Sequence, residues 1–273
     1  MKPSWNGNLS FGLVNMPVSL YSATRSERIE FHLLHKKDMG RVGYVRRCKV
    51  CGRELEADDI IKGYEIAKDE YIEITDEDFE KAEAVIENSH TIQITDFVDQ
   101  EAIDPKYYDS PYYVAPGKNA AHVYTLLRDA LKKSGKVGIA TLVFREREHL
   151  AAIKSDGRAL MLDTMHFSDE INDGDELNLP PANTKVSPKE LTMAQKLIDM
   201  MSGEFEPEKF KDRYREALMD VIDKKSKGIK VKTKTTRKRT ATNVVDIMSK
   251  LKASLEGTGK RKVATKRKKT RAA

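Results

Sequence analysis

Residues 5–24 read WNGNLSFGLVNMPVSLYSAT, and this segment gives the clearest indication of the fold class. Leu9, Phe11 and Leu13 alternate with polar or small residues, which is the period-two pattern of a strand that buries one face. Pro17 interrupts the pattern, and the alternation then resumes. The stretch therefore predicts two short strands at the start of a β-rich domain.

The rest of the chain repeats such segments and adds three helical patterns. Asp156 and Gly157 predict a tight hairpin turn between the last two strands. Many short strands, one central helix and a helical C-terminal pair predict an α+β fold, mainly β, built on a barrel or sheet. Strands are predicted over residues 41–50, 70–75, 90–98, 137–145, 149–154 and 158–167, and helices over residues 119–134, 189–201 and 208–223.

The net charge of +6 hides a strong division of the chain. Residues 224–273 carry 19 Lys and Arg against two acids, whereas residues 1–223 carry 30 Lys and Arg against 41 acids. So large a basic surplus indicates a polyanionic partner, most often nucleic acid. Because the body is acidic, any DNA contact that it makes needs a locally basic surface.

The basic tail is predicted to be mostly disordered, because residues 224–238 have no apolar period. One short amphipathic helix is predicted over residues 243–256, and it could dock on the body or become ordered on a partner. The tail has no aromatic residues, which favours attraction to phosphates over stacking on bases. Its predicted DNA contacts are Lys230, Lys232, Lys234, Arg237, Lys238, Arg239, Lys260, Arg261, Lys262, Lys266, Arg267, Lys268 and Lys269.

Composition and the N-terminal sequence exclude several classes of protein. No run of 18 apolar residues is present, so no membrane-spanning segment is expected. The first five residues lack the apolar core of a signal peptide, which predicts a cytoplasmic protein with no membrane partner. Two cysteines three positions apart cannot form the disulfide framework of a small secreted domain.

A second basic stretch lies inside the acidic body. Residues 36–53 contain seven cations and a single acid, Asp38. Part of this stretch is predicted to form a hairpin, on which alternate side chains could face DNA phosphates; a solvated charged strand is the alternative. The predicted DNA contacts are Lys36, Lys37, Arg41, Arg46, Arg47, Lys49 and Arg53.

Cys48 and Cys51 have the spacing of half a structural zinc site. Such a site needs four ligands, and His32 and His35 upstream could complete the set. A second possibility is that two Cys48/Cys51 pairs meet across a dimer axis. The simplest alternative is a pair of reduced cysteines at a turn beside two ordinary histidines, and the chain then needs no cofactor.

Two patterns leave an enzymatic interpretation open. Lys154-Ser-Asp156-Gly157 matches the Lys-x-Asp-Gly core in which ATP-dependent ligases adenylate the lysine, although a hairpin turn explains the same residues. A group of acids near residue 173 could hold Mg²⁺ for a nuclease, although their loop is more typical of a solvated surface. These acids are Asp169, Glu170, Asp173, Asp175 and Glu176.

Several longer segments follow the quoted residues 5–24 along the chain. They are LHKKD (34–38), CKVCG (48–52), KGYE (62–65), YIEITDED (71–78), DPKYY (104–108), YYVAP (112–116), LTMA (191–194) and FEPEKF (205–210). Together with residues 5–24, and in this order, these segments resemble the bacterial Ku family. The resemblance covers roughly residues 2–228, and the shared order of the segments makes it specific.

The resemblance implies a function. In that family two copies close into a ring around double-stranded DNA. The ring loads onto DNA at double-strand ends, without sequence specificity. The ring serves non-homologous end joining, recruits and stimulates the ATP-dependent DNA ligase D, and has no catalytic activity of its own. The protein would then act in the bacterial cytoplasm, associated with the nucleoid.

The same resemblance implies how the chain is organised. Residues 1–188 would form a Ku-type β-barrel core with a DNA-encircling bridge, residues 189–228 a helical C-terminal piece, and residues 229–273 the mostly disordered basic tail. The helical piece would hold the ligase-contacting surface, where exposed charges lie beside its apolar stripes. The candidate ligase contacts are Lys209, Lys211, Arg213 and Arg215.

Overall fold

The computed structural model of the protein describes residues 1–85 and 90–229. The predicted tail helix and the tail cations from Lys230 onward therefore lie outside the described residues. The chain divides into two compact units, Met1–Gly174 and Asp175–Ala273. The domain boundary predicted at residue 188 stays a prediction.

The first unit is built on a closed β-barrel, as the sequence predicts. The strands are β1 (Trp5–Phe11), β2 (Val14–Ser22), β3 (Lys62–Ala67), β4 (Glu70–Ile74), β5 (Thr91–Asp99), β6 (Tyr108–Pro116), β7 (Lys136–Val143), β8 (Glu148–Asp156) and β9 (Ala159–Met165). Seven of them pair in the order β1, β2, β6, β9, β8, β7, β5, and the parallel pairing of β5 with β1 closes the barrel. All other neighbours in the barrel are antiparallel.

The quoted N-terminal stretch forms the β1–β2 hairpin. Leu9 lies opposite Met16 in the register, and both side chains are buried in the barrel core together with Leu20. Leu13 was expected to continue the buried face, and this expectation is wrong. It lies in the turn between the strands and is fully exposed, because Gly12 at φ 58° reverses the chain just before it.

Gly7 is required by a close approach inside the barrel wall. A Cβ atom at this position would lie 2.3 Å from the carbonyl oxygen of His90 and equally close to the Trp5 ring. The Trp5 indole N–H donates a hydrogen bond to the carbonyl of Val143, 3.1 Å away, and so joins β1 to β7. The first residues of the quoted stretch therefore close the barrel as well as starting it.

The helices are α1 (Asp76–Val85), α2 (Ala121–Ser134), α3 (Pro188–Met201) and α4 (Arg213–Ser226). Helix α2 packs against the barrel through Tyr124, Leu127 and Leu131, and Gly135 at φ 68° ends it. The Tyr124 hydroxyl donates to the Val114 carbonyl at 2.8 Å and accepts from the Leu160 N–H at 2.7 Å. These two backbone groups belong to paired positions of β6 and β9, so one side chain ties the helix to both strands.

The second unit contains α3 and α4, and neither helix has a buried residue. A capping box between Ser187 and Glu190 begins α3. Pro188 follows the cap at the first helical position, where proline is favoured. Helix α4 was predicted to begin near residue 208, but it begins at Arg213. Pro207 starts a separate 3-10 turn instead, and the Asp212 carboxylate caps α4 by accepting from the Arg215 N–H at 2.9 Å.

Candidate nucleic-acid interface

Residues 23–75 leave the barrel after β2 and form what we call the bridge segment. Every one of these residues is described, and none from 24 to 75 is buried. The segment consists of two tight turns followed by the two-stranded antiparallel sheet of β3 and β4. It then continues into α1, which Thr75 caps: the Asp78 N–H donates to Thr75 Oγ1 at 3.3 Å, and the Thr75 N–H donates back to an Asp78 carboxylate oxygen at 3.0 Å.

The first turn of the bridge segment carries Lys36, Lys37 and Arg41. It is held by hydrogen bonds from the His35 N–H to the Gly40 carbonyl at 2.7 Å and from the Val42 N–H to the Leu33 carbonyl at 3.0 Å. An Asp38 carboxylate oxygen lies 2.9 Å from His35 Nδ1. Hydrogen bonds from the Gly40 N–H and from His35 hold the pKa of Asp38 below its usual value.

The second turn carries Arg46, Arg47, Lys49 and Arg53. The Cys48 N–H donates to the Arg53 carbonyl at 2.9 Å, and the Leu55 N–H donates to the Arg46 carbonyl at 2.9 Å. The strand predicted over residues 41–50 is therefore wrong. Isolated β-bridges pair Leu34 with Arg41 and Arg47 with Glu54, because this part of the chain lies on no sheet that could extend a ladder.

All seven predicted cations of the bridge segment are exposed. Within residues 1–85 and 90–229, none of the seven forms an ion pair with an acid. The Arg47 guanidinium donates to the Gly52 carbonyl within its own turn. Unpaired cations on an exposed segment are free to contact phosphates, and the structure distributes them over two turns rather than along one face of a hairpin.

Lys62 at the start of β3 connects the bridge segment to the barrel. Its Nζ lies 3.1 Å from Glu146 Oε1 in the β7–β8 turn and 4.2 Å from the centroid of the Phe79 ring. A third partner, Asp76, lies 3.7 Å from the same nitrogen. Sequence reasoning missed Lys62, since its main partner is 84 positions away and no local pattern marks the pair.

Large apolar side chains are also exposed along the bridge segment. Val50 is 96% and Tyr44 82% exposed, in contrast to the barrel core, where Leu9 and Leu20 are fully buried. An exposed apolar surface of this extent is typical of an interaction site. The side chains are Phe31, Leu33, Leu34, Met39, Val42, Tyr44, Val45, Val50, Ile60, Ile61, Tyr64, Ile66, Tyr71 and Ile72.

The four residues proposed for zinc are not brought together. Within the described part of the chain, no group of three or more His, Cys, Asp or Glu side chains is placed to hold a metal ion. His35 instead contacts Asp38, and Cys48 and Cys51 lie beside each other in the second turn without His32. Hydrogen bonds from the backbone N–H groups of Cys51 and Val50 and from the Cys51 thiol lower the pKa of Cys48.

Lys154 lies in β8, next to the tight β8–β9 turn that the sequence predicted. Its Nζ is 2.7 Å from Asp163 Oδ2, and the two side chains are 25% and 10% exposed. The Tyr108 ring centroid lies 5.5 Å from the same nitrogen. A lysine held in a largely buried ion pair is a poor nucleophile, so this arrangement favours the structural interpretation of Lys154-Ser-Asp156-Gly157 over nucleotidyl transfer.

The acids proposed for a nuclease make contacts of other kinds. Glu170 accepts hydrogen bonds from the Arg147 guanidinium and from the Phe167 N–H, and these bonds lower its pKa. Asp169, Asp173, Asp175 and Glu176 are exposed. The described residues thus assemble no metal site from this loop.

The candidate ligase contacts are all exposed at the start of α4 and in the turn before it. Lys209 pairs with Glu206. The rings of Phe205 and Phe210 stack with their centroids 5.9 Å apart, and Phe210 is exposed. This region therefore presents charges beside uncovered apolar side chains.

None of the helices in residues 1–85 and 90–229 has the length and apolar character needed to cross a membrane.

Comparison with known proteins gives consistent matches. Residues 10–193 match the family model described as "Ku70/Ku80 beta-barrel domain". A "Non-homologous end joining protein Ku" of Opitutus terrae is 42% identical over 260 residues, covering 95% of this chain and 93% of that protein. Proteins of the same name from Bacillus subtilis and Archaeoglobus fulgidus are 36% and 38% identical and cover 94% of this chain; the matches span 83% and 99% of those proteins.

Proposed function

The chain belongs to the Ku family of non-homologous end joining proteins, and we propose that two copies form a closed ring that binds ends of double-stranded DNA. The observation that carries this proposal is the bridge segment. It combines unpaired cations with uncovered apolar side chains, while the barrel beside it already has a complete core. One surface of the bridge segment would contact DNA, and another would contact the partner.

A second copy of the chain is the partner that would bury the exposed apolar side chains of the bridge segment. Fourteen large apolar side chains lie exposed there, and a soluble chain buries such a surface against a partner. Symmetric pairing of two copies is the commonest way in which one chain covers a patch of its own. Two bridge segments that pack together would also close the opening between two barrels.

DNA contact through the bridge cations accounts for binding without sequence specificity. Lysine and arginine side chains on exposed turns reach phosphates, and phosphate contacts position a duplex without reading its bases. The acidic surplus of residues 1–223 repels DNA elsewhere on the body. Binding is therefore confined to the ring, and a closed ring is entered over a DNA end.

We propose a non-catalytic role, with ligase D as the partner that performs the chemistry. Lys154 forms an ion pair with Asp163, and within the described residues no group of acids is placed to hold a metal ion. The alternative is an enzyme that uses Lys154 for adenylation or the acids near Asp173 for cleavage. Incubation with radiolabelled ATP, or with nicked DNA and Mg²⁺, separates the two: a covalent adenylate or cleavage products would contradict the scaffold.

Replacement of Lys36, Lys37 and Lys49 by alanine tests the DNA contact. A ring of two copies then loses six cations, and if about half of them contact phosphates, the slope of log K against log salt becomes shallower by about 3 units. The measurement is a salt titration of binding to a linear duplex. We expect the end-binding affinity to fall, while the thermal unfolding midpoint stays unchanged.

The matched control replaces Lys118, Lys132 and Lys133, three exposed lysines outside the bridge segment. It removes the same charge from the body, so a general electrostatic effect would weaken DNA binding equally in both variants. If both variants lower the slope of log K against log salt equally, the bridge segment does not contact the DNA.

A further inference from the structure

The second turn of the bridge segment holds both cysteines. The Gly52 N–H donates to the Cys48 carbonyl at 3.0 Å, and Gly52 adopts a φ of 72° that tightens the loop. The Cys48 N–H donates to the Arg53 carbonyl at 2.9 Å and closes the same loop beyond Cys51. Cys48 and Cys51 therefore lie on one tight turn.

Two adjacent thiolates at this spacing are the donor set that zinc prefers. Structural zinc sites are tetrahedral and closed by four ligands, commonly pairs of cysteines with two to four residues between them. Cys51 is exposed and Cys48 is partly exposed, so a metal ion can reach both. One turn supplies two of the four ligands.

The remaining ligands must come from another molecule. The sequence contains two cysteines in total, so a second cysteine pair exists only in a second copy. His35 is directed at Asp38, 2.9 Å away, and within the described chain no third ligand joins the cysteines. The loop also lies on the surface where the homodimer is proposed to form, between the exposed Tyr44 and Val50.

We propose that Cys48 and Cys51 from two copies together bind one Zn²⁺ ion in a four-cysteine site on the two-fold axis of the homodimer. This inference rests on the homodimer of the proposed function. The site would join the two bridge segments at the point where the ring closes.

The charge around the cysteines fits such a site. Arg46, Arg47, Lys49 and Arg53 flank the pair, so two copies bring eight cations close together. Mutual repulsion of these cations opposes the contact. Zn²⁺ with four thiolates carries a net charge of −2, and this charge, placed among the eight cations, offsets part of their repulsion.

The test measures zinc in the full-length protein purified without chelators. We expect one zinc ion for every two chains by mass spectrometric metal analysis, and none in the C48S/C51S variant. Replacement of zinc by Co²⁺ should give a thiolate-to-cobalt charge-transfer band with the intensity of four sulfur ligands. One zinc per chain, no zinc in the unmodified protein, or zinc retained by the C48S/C51S variant would each overturn the proposal.

The matched control is the H32A/H35A variant, which alters the two histidines upstream of the cysteines. We expect it to keep its zinc and its cobalt spectrum. Loss of either would contradict the four-cysteine site and indicate a site with both cysteine and histidine ligands. Sedimentation equilibrium separates this proposal from the homodimer itself. A zinc-free dimer overturns the zinc site and leaves the proposed function standing, whereas a monomer overturns both.

Discussion

The Tyr124 hydroxyl makes two buried hydrogen bonds to the backbone. Its bonds to the Val114 carbonyl and the Leu160 N–H hold α2 on the barrel, and burial raises the pKa of the phenol. Replacement of Tyr124 by phenylalanine removes both bonds. We expect the free energy of unfolding to fall by about 1–3 kcal/mol, measured by urea denaturation.

The control for this variant is Y113F, which removes a hydroxyl from a side chain that is 39% exposed. It should change the free energy of unfolding by less than about 0.5 kcal/mol. A Y124F variant as stable as Y113F would show that water or a backbone shift replaces the two bonds.

Whether a single side chain is buried could be predicted where it belongs to one clear periodic pattern. Leu9 and Leu20 lie in the core as the alternation predicts. Leu13 continues the same alternation but falls in a turn, and periodicity alone does not mark where a strand ends. Tyr124 lies on a predicted helix, yet its partners belong to strands separated from it along the chain, so no local signal reveals its role.

Most elements with a buried face were predictable, but β6, which Pro111 interrupts, was not. In the bridge segment, β4 was predicted and the two turns were not. The other barrel strands and α2 bury one face, so their period appears in the sequence. Residues 41–50 have strand-forming side chains but no sheet to join, so they form turns instead. The exposure of the apolar side chains of the bridge segment was not predictable, because a single sequence does not reveal which apolar residues a partner covers.

The basic tail should add affinity without adding end preference. Helix α4 extends to Ser226, so the appropriate truncation removes residues 230–273. If roughly five to eight tail cations contact phosphates, this truncation makes the slope of log K against log salt shallower by about 4 to 7 units. We expect weaker total binding and sharper preference for ends, measured by salt titrations on one linear duplex.

The competing possibility is that the tail binds the acidic body. Truncation would then leave DNA binding unchanged or strengthen it. Equal salt slopes for the full-length and truncated chains would mean that the tail makes no contact with DNA.

The start of α4 should contribute to ligase stimulation. Lys211 and Arg213 are exposed there, and a glutamate in the first turn of α4 is compatible with the helix dipole. We expect the K211E/R213E variant to lose most of its stimulation of ligase D in an end-joining assay while keeping its DNA affinity. Removal of residues 230–273 should leave stimulation partly intact, and a folded 1–188 fragment should have none.

The control for the ligase surface is K118E/K133E, the same charge change on the first unit. Circular dichroism must confirm that the 1–188 fragment is folded. Stimulation by that folded fragment, or equal loss in both glutamate variants, would contradict the assignment to α4.

The proposed function of the whole protein depends on the division of charge and on ring closure. The division is visible in the sequence as an acidic body with a basic tail and one basic stretch inside it. The seven cations of that stretch form no ion pair with the described part of the chain, and they lie on the bridge segment, where no residue from 24 to 75 is buried. Ring closure depends on a second chain, and the sequence indicated it through resemblance alone.

Binding to linear and to covalently closed DNA reports directly on whether two copies form a closed ring. The chain without residues 230–273 is titrated, in moderate salt, against a linear duplex and a relaxed closed circle of the same sequence. Because a closed ring is entered over an end, we expect binding to the linear duplex with any overhang, none to the circle, and full binding after a restriction enzyme opens the circle. Equal affinity for the closed circle and the linear duplex would contradict the ring.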